Sequence, residues 1–276
     1  MFDDKRRAVA RSPASSESLH AIEAAVADFT DAEFGRSVAL ATLRGPKLQV
    51  MVNGERPRPA ASLLKVPLVM AVYDHARTGQ LSLEDLAPRK RLGTTAYSSI
   101  LEAFDEDHVF SIKELCALAL ITSDNPVTEY LLGLVSFEAV NRTIQRLGAH
   151  HTVMRVGFGD ADVAKEQGRL NVTTATDAIT MMMSIAEDPF YEPLLHALKN
   201  NLRNTRTPLR LPDTLPIAHK TGSLEGVAND MGIIYGCHID LVVAFLCDSQ
   251  ADTARTSLAI GDCVAAVWDA LGEQVG

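Results

Sequence analysis

The stretch AASLLKVPLVMAVYD, residues 60–74, decides how the rest of the chain is read. It follows a loop punctuated by Pro57 and Pro59 and turns into an apolar run (Val66, Leu68, Val69, Ala71, Val72) whose spacing predicts a helix. Ser62 and Lys65 stand three apart at its start, so on a helix they share a face and the ammonium reaches the hydroxyl. A helix start also offers unpaired N–H groups and the positive end of a dipole, which favour an oxyanion developing near Ser62. An ordinary capped helix with a solvated lysine has the same spacing. Against that reading, Lys65 leads straight into an apolar segment, where a surface lysine is out of place.

Working outward toward the N-terminus, Ser37 to Leu43 and Lys47 to Asn53 are β-rich runs separated by Arg44-Gly45-Pro46, which predicts a hairpin. Before them, Leu19, Ile22, Ala25, Val26 and Phe29 recur at helical spacing behind Ser15, Ser16 and Ser18, all candidate caps. Toward the C-terminus, helical patterns run from Leu63 to about Asn200, broken by Thr152 to Asn171, a polar stretch with three glycines. Strand patterns return near Ile217, clearest at Val227 to Gly236 and Asp240 to Leu246, before a last helix from Thr253 to Leu271. Short hairpin strands cannot bury a face alone, so the early and late strands pair into one sheet and the helical block is an insertion. The expectation is an α+β fold: an antiparallel sheet flanked by N- and C-terminal helices, with an inserted all-α domain. Residues 1–16 would be a flexible tail, 17–55 and 206–276 the sheet domain, 56–205 the all-α domain, and the site would lie between the two.

The 276 residues, 47% hydrophobic and 22% charged, describe a folded chain. A formal net charge of −9 repels phosphate backbones and anionic lipid, which argues against nucleic acid as a partner. The one basic cluster, Lys5-Arg6-Arg7, reads as part of a solvated tail. No apolar core of signal-peptide length precedes the first helix, and the most apolar stretch, Leu115 to Ile121, is too short to span a bilayer. The sequence as written therefore predicts a cytoplasmic protein without a membrane role, or a periplasmic or secreted one if a leader has been removed. Cys116, Cys237, Cys247 and Cys263 are scattered and read as small buried hydrophobes, and neither they nor the dispersed histidines have metal-site spacing. No metal or other cofactor is expected.

Two further stretches carry chemistry. In ITSDNPVTEYLL, residues 121–132, Ser123-Asp124-Asn125 lies in a turn between two predicted helices, just before Pro126. By themselves these residues read as helix caps. In HKTGSLEGVANDMGIIY, residues 219–235, Lys220-Thr221-Gly222 ends a short strand signal and is followed by Ser223. At a strand edge the Ser223 N–H, together with that of Ser62, would form an oxyanion hole.

Each tripeptide is common, but SxxK, SDN and KTG in this order, on these elements, form a set. From roughly Glu17 to Leu271 the chain resembles the class A-like serine β-lactamases and penicillin-binding proteins. The resemblance implies Ser62 as nucleophile and Lys65 as its base, improved by burial and by the Lys220 charge. It implies Ser123 as proton relay to the leaving nitrogen and Asn125 as a group orienting the acyl side chain. Lys220 and Thr221, with Gly222 and Ser223 beside them, would bind a substrate carboxylate and the oxyanion. The partner would be a small amide, lactam or ester.

The resemblance fails at one place. Class A enzymes carry an ExxLN pattern whose Glu activates the water that clears the acyl-enzyme, and the corresponding loop here reads MRVGFGDADVAKEQGRLNVTTATDA, residues 154–178. Glu166 precedes Leu170-Asn171 with one residue too many, and Asp160 is the other carboxylate near the expected place. A shifted carboxylate slows deacylation rather than acylation. Three functions follow: a β-lactamase-like hydrolase, an intracellular transacylase, esterase or peptidase with poor lactam turnover, and a non-catalytic binding protein on the same scaffold. The four intact residues Ser62, Lys65, Ser123 and Lys220 argue against the last. Gly157-Phe158-Gly159 begins like a dinucleotide fingerprint but lacks a third glycine and a preceding strand. Tyr97 reads as a core or surface aromatic rather than a cleft residue.

Overall fold

The computed structural model describes residues 15–95, 98–159 and 167–272. Its first helix, α1 (Ser16–Asp31), starts where Ser15 accepts the Ser18 N–H at 3.1 Å, and it buries the stripe Ile22, Val26 and Phe29. A hairpin of β1 (Arg36–Arg44) and β2 (Gln49–Val52) follows, in the register Val38 opposite Val52. It joins the late strands β7 (Ile217–Leu224), β8 (Val227–Tyr235) and β9 (Asp240–Cys247) in one antiparallel sheet of order β2-β1-β9-β8-β7. The sheet expected from the separated early and late strands is formed, with β7 at its edge.

Strand periodicity explains why β1 and β9 read as unbroken apolar runs. Val38, Leu40, Leu241, Val243 and Phe245 join one core with α1 and the C-terminal helix Thr253–Ala270, while Ala39, Ala41, Val242, Ala244 and Leu246 join the other. Both faces are buried, so neither alternates with polar residues. Phe29 meets Phe245 edge to face with ring centroids 5.4 Å apart. Removing such a ring costs about 3–5 kcal/mol.

The opposite face of the sheet carries the helical block. At its centre is α2 (Lys65–Arg77), which is buried without interruption from Lys65 to Tyr73, so it is apolar all round rather than striped. Around it lie α3 (Ile112–Ile121), α4 (Asn125–Val135), α5 (Phe137–Arg146), α6 (Ala175–Glu187) and α7 (Glu192–Lys199), and α8 (Thr253–Ala270) closes the chain. A capping box starts α3: Ser111 accepts the Glu114 N–H at 3.2 Å, and Glu114 accepts the Ser111 N–H at 2.7 Å.

The block departs from an all-α reading by two short ladders. One pairs β3 (Arg58–Pro59) with β6 (Val172–Thr173), the other β4 (Leu86–Pro88) with β5 (Val109–Ser111). Two- and three-residue strands in polar, proline-containing segments leave no periodicity to detect. The cysteine reading also needs correction. Cys116, Cys247 and Cys263 are buried, but Cys237 is exposed because it falls in the turn between β8 and β9 rather than on a strand. Among the described residues no helix is long and apolar enough to cross a membrane.

Candidate active site

Ser62 sits in a 3-10 turn, Ala61–Leu64, that runs into α2. Side chains three apart eclipse one another in a 3-10 turn, which keeps Ser62 and Lys65 on one side more strictly than an α-helix would. The turn is fixed from outside: the Ala60 N–H donates to the Asn171 carbonyl at 2.8 Å, and Asn229 Nδ2 donates to the Pro59 carbonyl at 2.8 Å. Ala61 is held at φ +49, a conformation that costs an alanine about 1 kcal/mol or more and persists only where the surroundings impose it.

Lys65 is fully buried, yet its ammonium does not bond to Ser62. It donates instead to the Ser123 carbonyl at 2.5 Å, to Asn125 Oδ1 at 2.6 Å and to Ser123 Oγ at 3.3 Å. Ser62 Oγ has no hydrogen-bond partner among the described residues and faces the cleft half-exposed. The direct Ser62–Lys65 bond expected from the spacing is therefore absent, because the acceptors on the loop after α3 compete for the ammonium.

That loop is well specified. Ser123 takes the left-handed backbone at φ +62, and Asp124 caps α4 by accepting the Val127 N–H at 3.0 Å, with Pro126 in the first turn. Asp124 also accepts Ser99 Oγ at 2.6 Å and the Ile100 N–H at 2.9 Å. Capping and the site therefore coexist in one tripeptide: Asp124 holds the turn, and Ser123 and Asn125 face Lys65.

Lys220 lies in the interior of β7, not at its end, and is fully buried. It donates to Ser123 Oγ at 2.9 Å and to the Thr221 carbonyl at 2.9 Å. Two buried lysines thus converge on one hydroxyl. Burial pulls the Lys65 ammonium down to about 7, opposed by Asp124 and reinforced by Arg203. Lys220 is held well below the ordinary lysine range by burial and then by the Lys65 charge. The two ammonium groups disfavour each other's charge, and Arg203 adds to the lowering of both.

The edge of β7 packs directly on the Ser62 turn, and Gly222 is what allows it. A Cβ at Gly222 would stand 2.9 Å from the Ala60 carbonyl oxygen and 3.2 Å from Ala61 Cβ. Behind β7, the buried Arg206 donates to the carbonyls of Gly222 (2.9 Å) and Asn229, to Ser223 Oγ at 2.7 Å, and to Ser257 Oγ on α8 at 3.1 Å. His219, next to Lys220, pairs with Asp230 at 3.0 Å. Thr221 is buried on the same strand.

Ser62, Asn125 and Ser223 line a cleft together with Val156, Phe158 and Leu170. Glu166 and Asp160 lie outside the described residues, as does Tyr97. The ExxLN spacing, counted back from Leu170-Asn171, lands on Gln167, an amide that is exposed and does not line the cleft. That signal was readable by counting; the parts played by Arg206, Asn229, Glu129 and Phe158 have no motif to announce them.

Comparison with known proteins identifies the family and the fold. The model of the Beta-lactamase enzyme family matches residues 20–271. The chain belongs to that family. It is 22% identical over 242 residues to Beta-lactamase VEB-1 of Pseudomonas aeruginosa, covering 79% of each protein. The crystal structure of a beta-lactamase from Sphaerobacter thermophilus is 27% identical with a TM-score of 0.82, covering 92% of this chain and 97% of that one. PBP-A shares the fold at 21% identity and a TM-score of 0.78, covering 96% of this chain and 99% of its own. A variant of PBP-A has been solved as an acyl-enzyme complex with penicillin G. Family membership supports a serine hydrolase function in general terms.

Proposed function

We propose that this member of the beta-lactamase family forms an acyl-enzyme on Ser62 with a β-lactam or a related amide or ester. The cleft then lies between a sheet unit, 17–55 and 206–276, and a helical unit, 56–205. The observation that carries the reading is the convergence of two fully buried lysines on Ser123 Oγ, at 3.3 Å from Lys65 and 2.9 Å from Lys220. Burying two ammonium groups costs several kcal/mol, which a structural role does not require.

In this mechanism neutral Lys65 accepts the Ser62 proton as Ser62 Oγ attacks the carbonyl carbon. The oxyanion is met by the N–H groups of Ser62 and Ser223. As the carbon–nitrogen bond breaks, Ser123 delivers a proton to the leaving nitrogen and is resupplied through Lys65. Asn125 orients the acyl side chain, Lys220 and Thr221 hold the substrate carboxylate, and Gly222 keeps the strand close to the turn.

Gln167 at the ExxLN position favours a second reading of the later step: acylation with slow hydrolysis, as in a transacylase, esterase or peptidase. One assay separates the two. With a chromogenic cephalosporin, a hydrolase gives sustained colour release, and the slow-hydrolysis form gives a burst of one equivalent. Absence of both colour release and a burst would refute acylation of Ser62 by lactams.

A further inference from the structure

The Lys65 amine lies under an aromatic ring that none of the three motifs supplies. The Phe158 ring centroid is 5.0 Å from Lys65 Nζ, and the same side chain lines the cleft with Ser62. The ring is held in place by its own backbone. Glu129 Oε1 on α4 accepts the N–H groups of Phe158 and, at 3.0 Å, of Gly159, while Asn125 Nδ2 donates to the Phe158 carbonyl at 3.3 Å. Gly157 permits the approach, since a Cβ there would stand 2.5 Å from Glu129 Oε1. Asn171 fastens the preceding residues, accepting the N–H groups of Arg155 at 2.7 Å and Val156 at 3.1 Å and donating to the Val156 carbonyl at 3.0 Å.

Deacylation by water needs a water molecule next to the ester carbonyl and within hydrogen-bond reach of a base. A phenyl ring offers that water no acceptor and takes up room in the cleft that Ser62 lines. The two carboxylates that act on Lys65 are both engaged elsewhere: Asp124 by Ser99, Ile100 and Val127, and Glu129 by the Phe158 and Gly159 amides. We propose that Phe158 shields the Ser62 ester from water, and that Glu129 positions it for this role. The proposal deepens the acyl-enzyme reading and rests on it. The step it retards is attack of a water oxygen on the acyl carbon, with cleavage of the bond from that carbon to Ser62 Oγ. The water's proton passes to neutral Lys65, and a proton returns from it to Ser62 Oγ.

The test follows the decay of the penicillin G adduct by intact mass in the parent, Phe158→Ala, Phe158→Leu and Glu129→Gln, with circular dichroism on each. Phe158→Ala is expected to shorten the adduct lifetime by about tenfold or more, part of what a general base contributes once water can enter. Phe158→Leu retains a long lifetime, and Glu129→Gln falls between them. An adduct that decays equally fast in the parent and Phe158→Ala overturns the shielding while leaving acylation intact. Absence of any adduct in the parent overturns the shielding if penicillin G is consumed, and the acyl-enzyme reading if it is not. A second readout needs no substrate: the carbon-13 NMR titration of the Lys65 ε-methylene. Opening the roof exchanges the ring contact of the amine for water and shifts its midpoint in Phe158→Ala; an unmoved midpoint overturns the roof whatever the lactam does.

Discussion

The two walls of the cleft are built by different means. On one wall Ser62, Lys65, Ser123 and Lys220 are fixed by local devices: a 3-10 turn, a capped helix start at Asp124 and an edge strand thinned by Gly222. On the other, Phe158 and Leu170 sit in a loop without regular structure, anchored by Glu129 and Asn171 from a distance in sequence. In the proposed function the first wall supplies the parts that make an ester, and in the proposed shielding the second sets how long the ester survives. Such a division lets acylation and hydrolysis be altered independently.

The largest expected effect is on the first wall. Ser62→Ala abolishes labelling by acyl-fluorophosphonate probes, and persistent labelling at another residue would dissolve the distinction between the walls. Lys65→Ala keeps a native circular dichroism spectrum and slows acylation by about a thousandfold or more, as loss of one member of a nucleophile–base unit does. Near-normal acylation in that variant would point to another base. In the parent, acylation rises with pH through about 7, since Lys65 accepts the Ser62 proton only after losing its own. A flat profile between pH 5 and 9 would contradict Lys65 as the base.

A smaller effect tests how tightly the first wall is assembled. The Cβ of Gly222→Ala would meet the Ala60 carbonyl at 2.9 Å, so β7 and the Ser62 turn must separate. The expected cost is about 1–3 kcal/mol of stability, read by urea unfolding, and roughly a hundredfold in acylation from misplacement of about 1 Å. Unchanged acylation would show that β7 does not set the geometry. The smallest effect is on the second wall: Glu166→Gln and Asp160→Asn leave the adduct lifetime within about twofold of the parent, because neither carboxylate has the spacing of a water-activating base. A much longer lifetime in one of them would identify that carboxylate as the base and restore an efficient hydrolase.

How far the sequence could be read follows the same division. The sheet was legible because β8 and β9 carry long apolar runs and the first hairpin has Arg44-Gly45-Pro46 at its turn. Ser123-Asp124-Asn125 was legible because Asp124 caps a helix, a short-range signal. The direct Ser62–Lys65 bond was misread, since spacing alone cannot register competing acceptors on another loop. The short ladders β3/β6 and β4/β5 left no period, and Cys237 looked like the other cysteines because a turn two residues past a strand still reads as apolar. Phe158 was dismissed with its flanking glycines as part of an incomplete fingerprint. Its role depends on Glu129, twenty-nine residues earlier in the chain, and no local pattern encodes that.

Peptide mapping by mass spectrometry after brief exposure to penicillin G tests the central claim most directly. The account predicts one penicillin-derived increment, confined to the peptide containing Ser62 and absent from Ser62→Ala treated alongside. An increment on a different residue, or one of equal extent in Ser62→Ala, would contradict it.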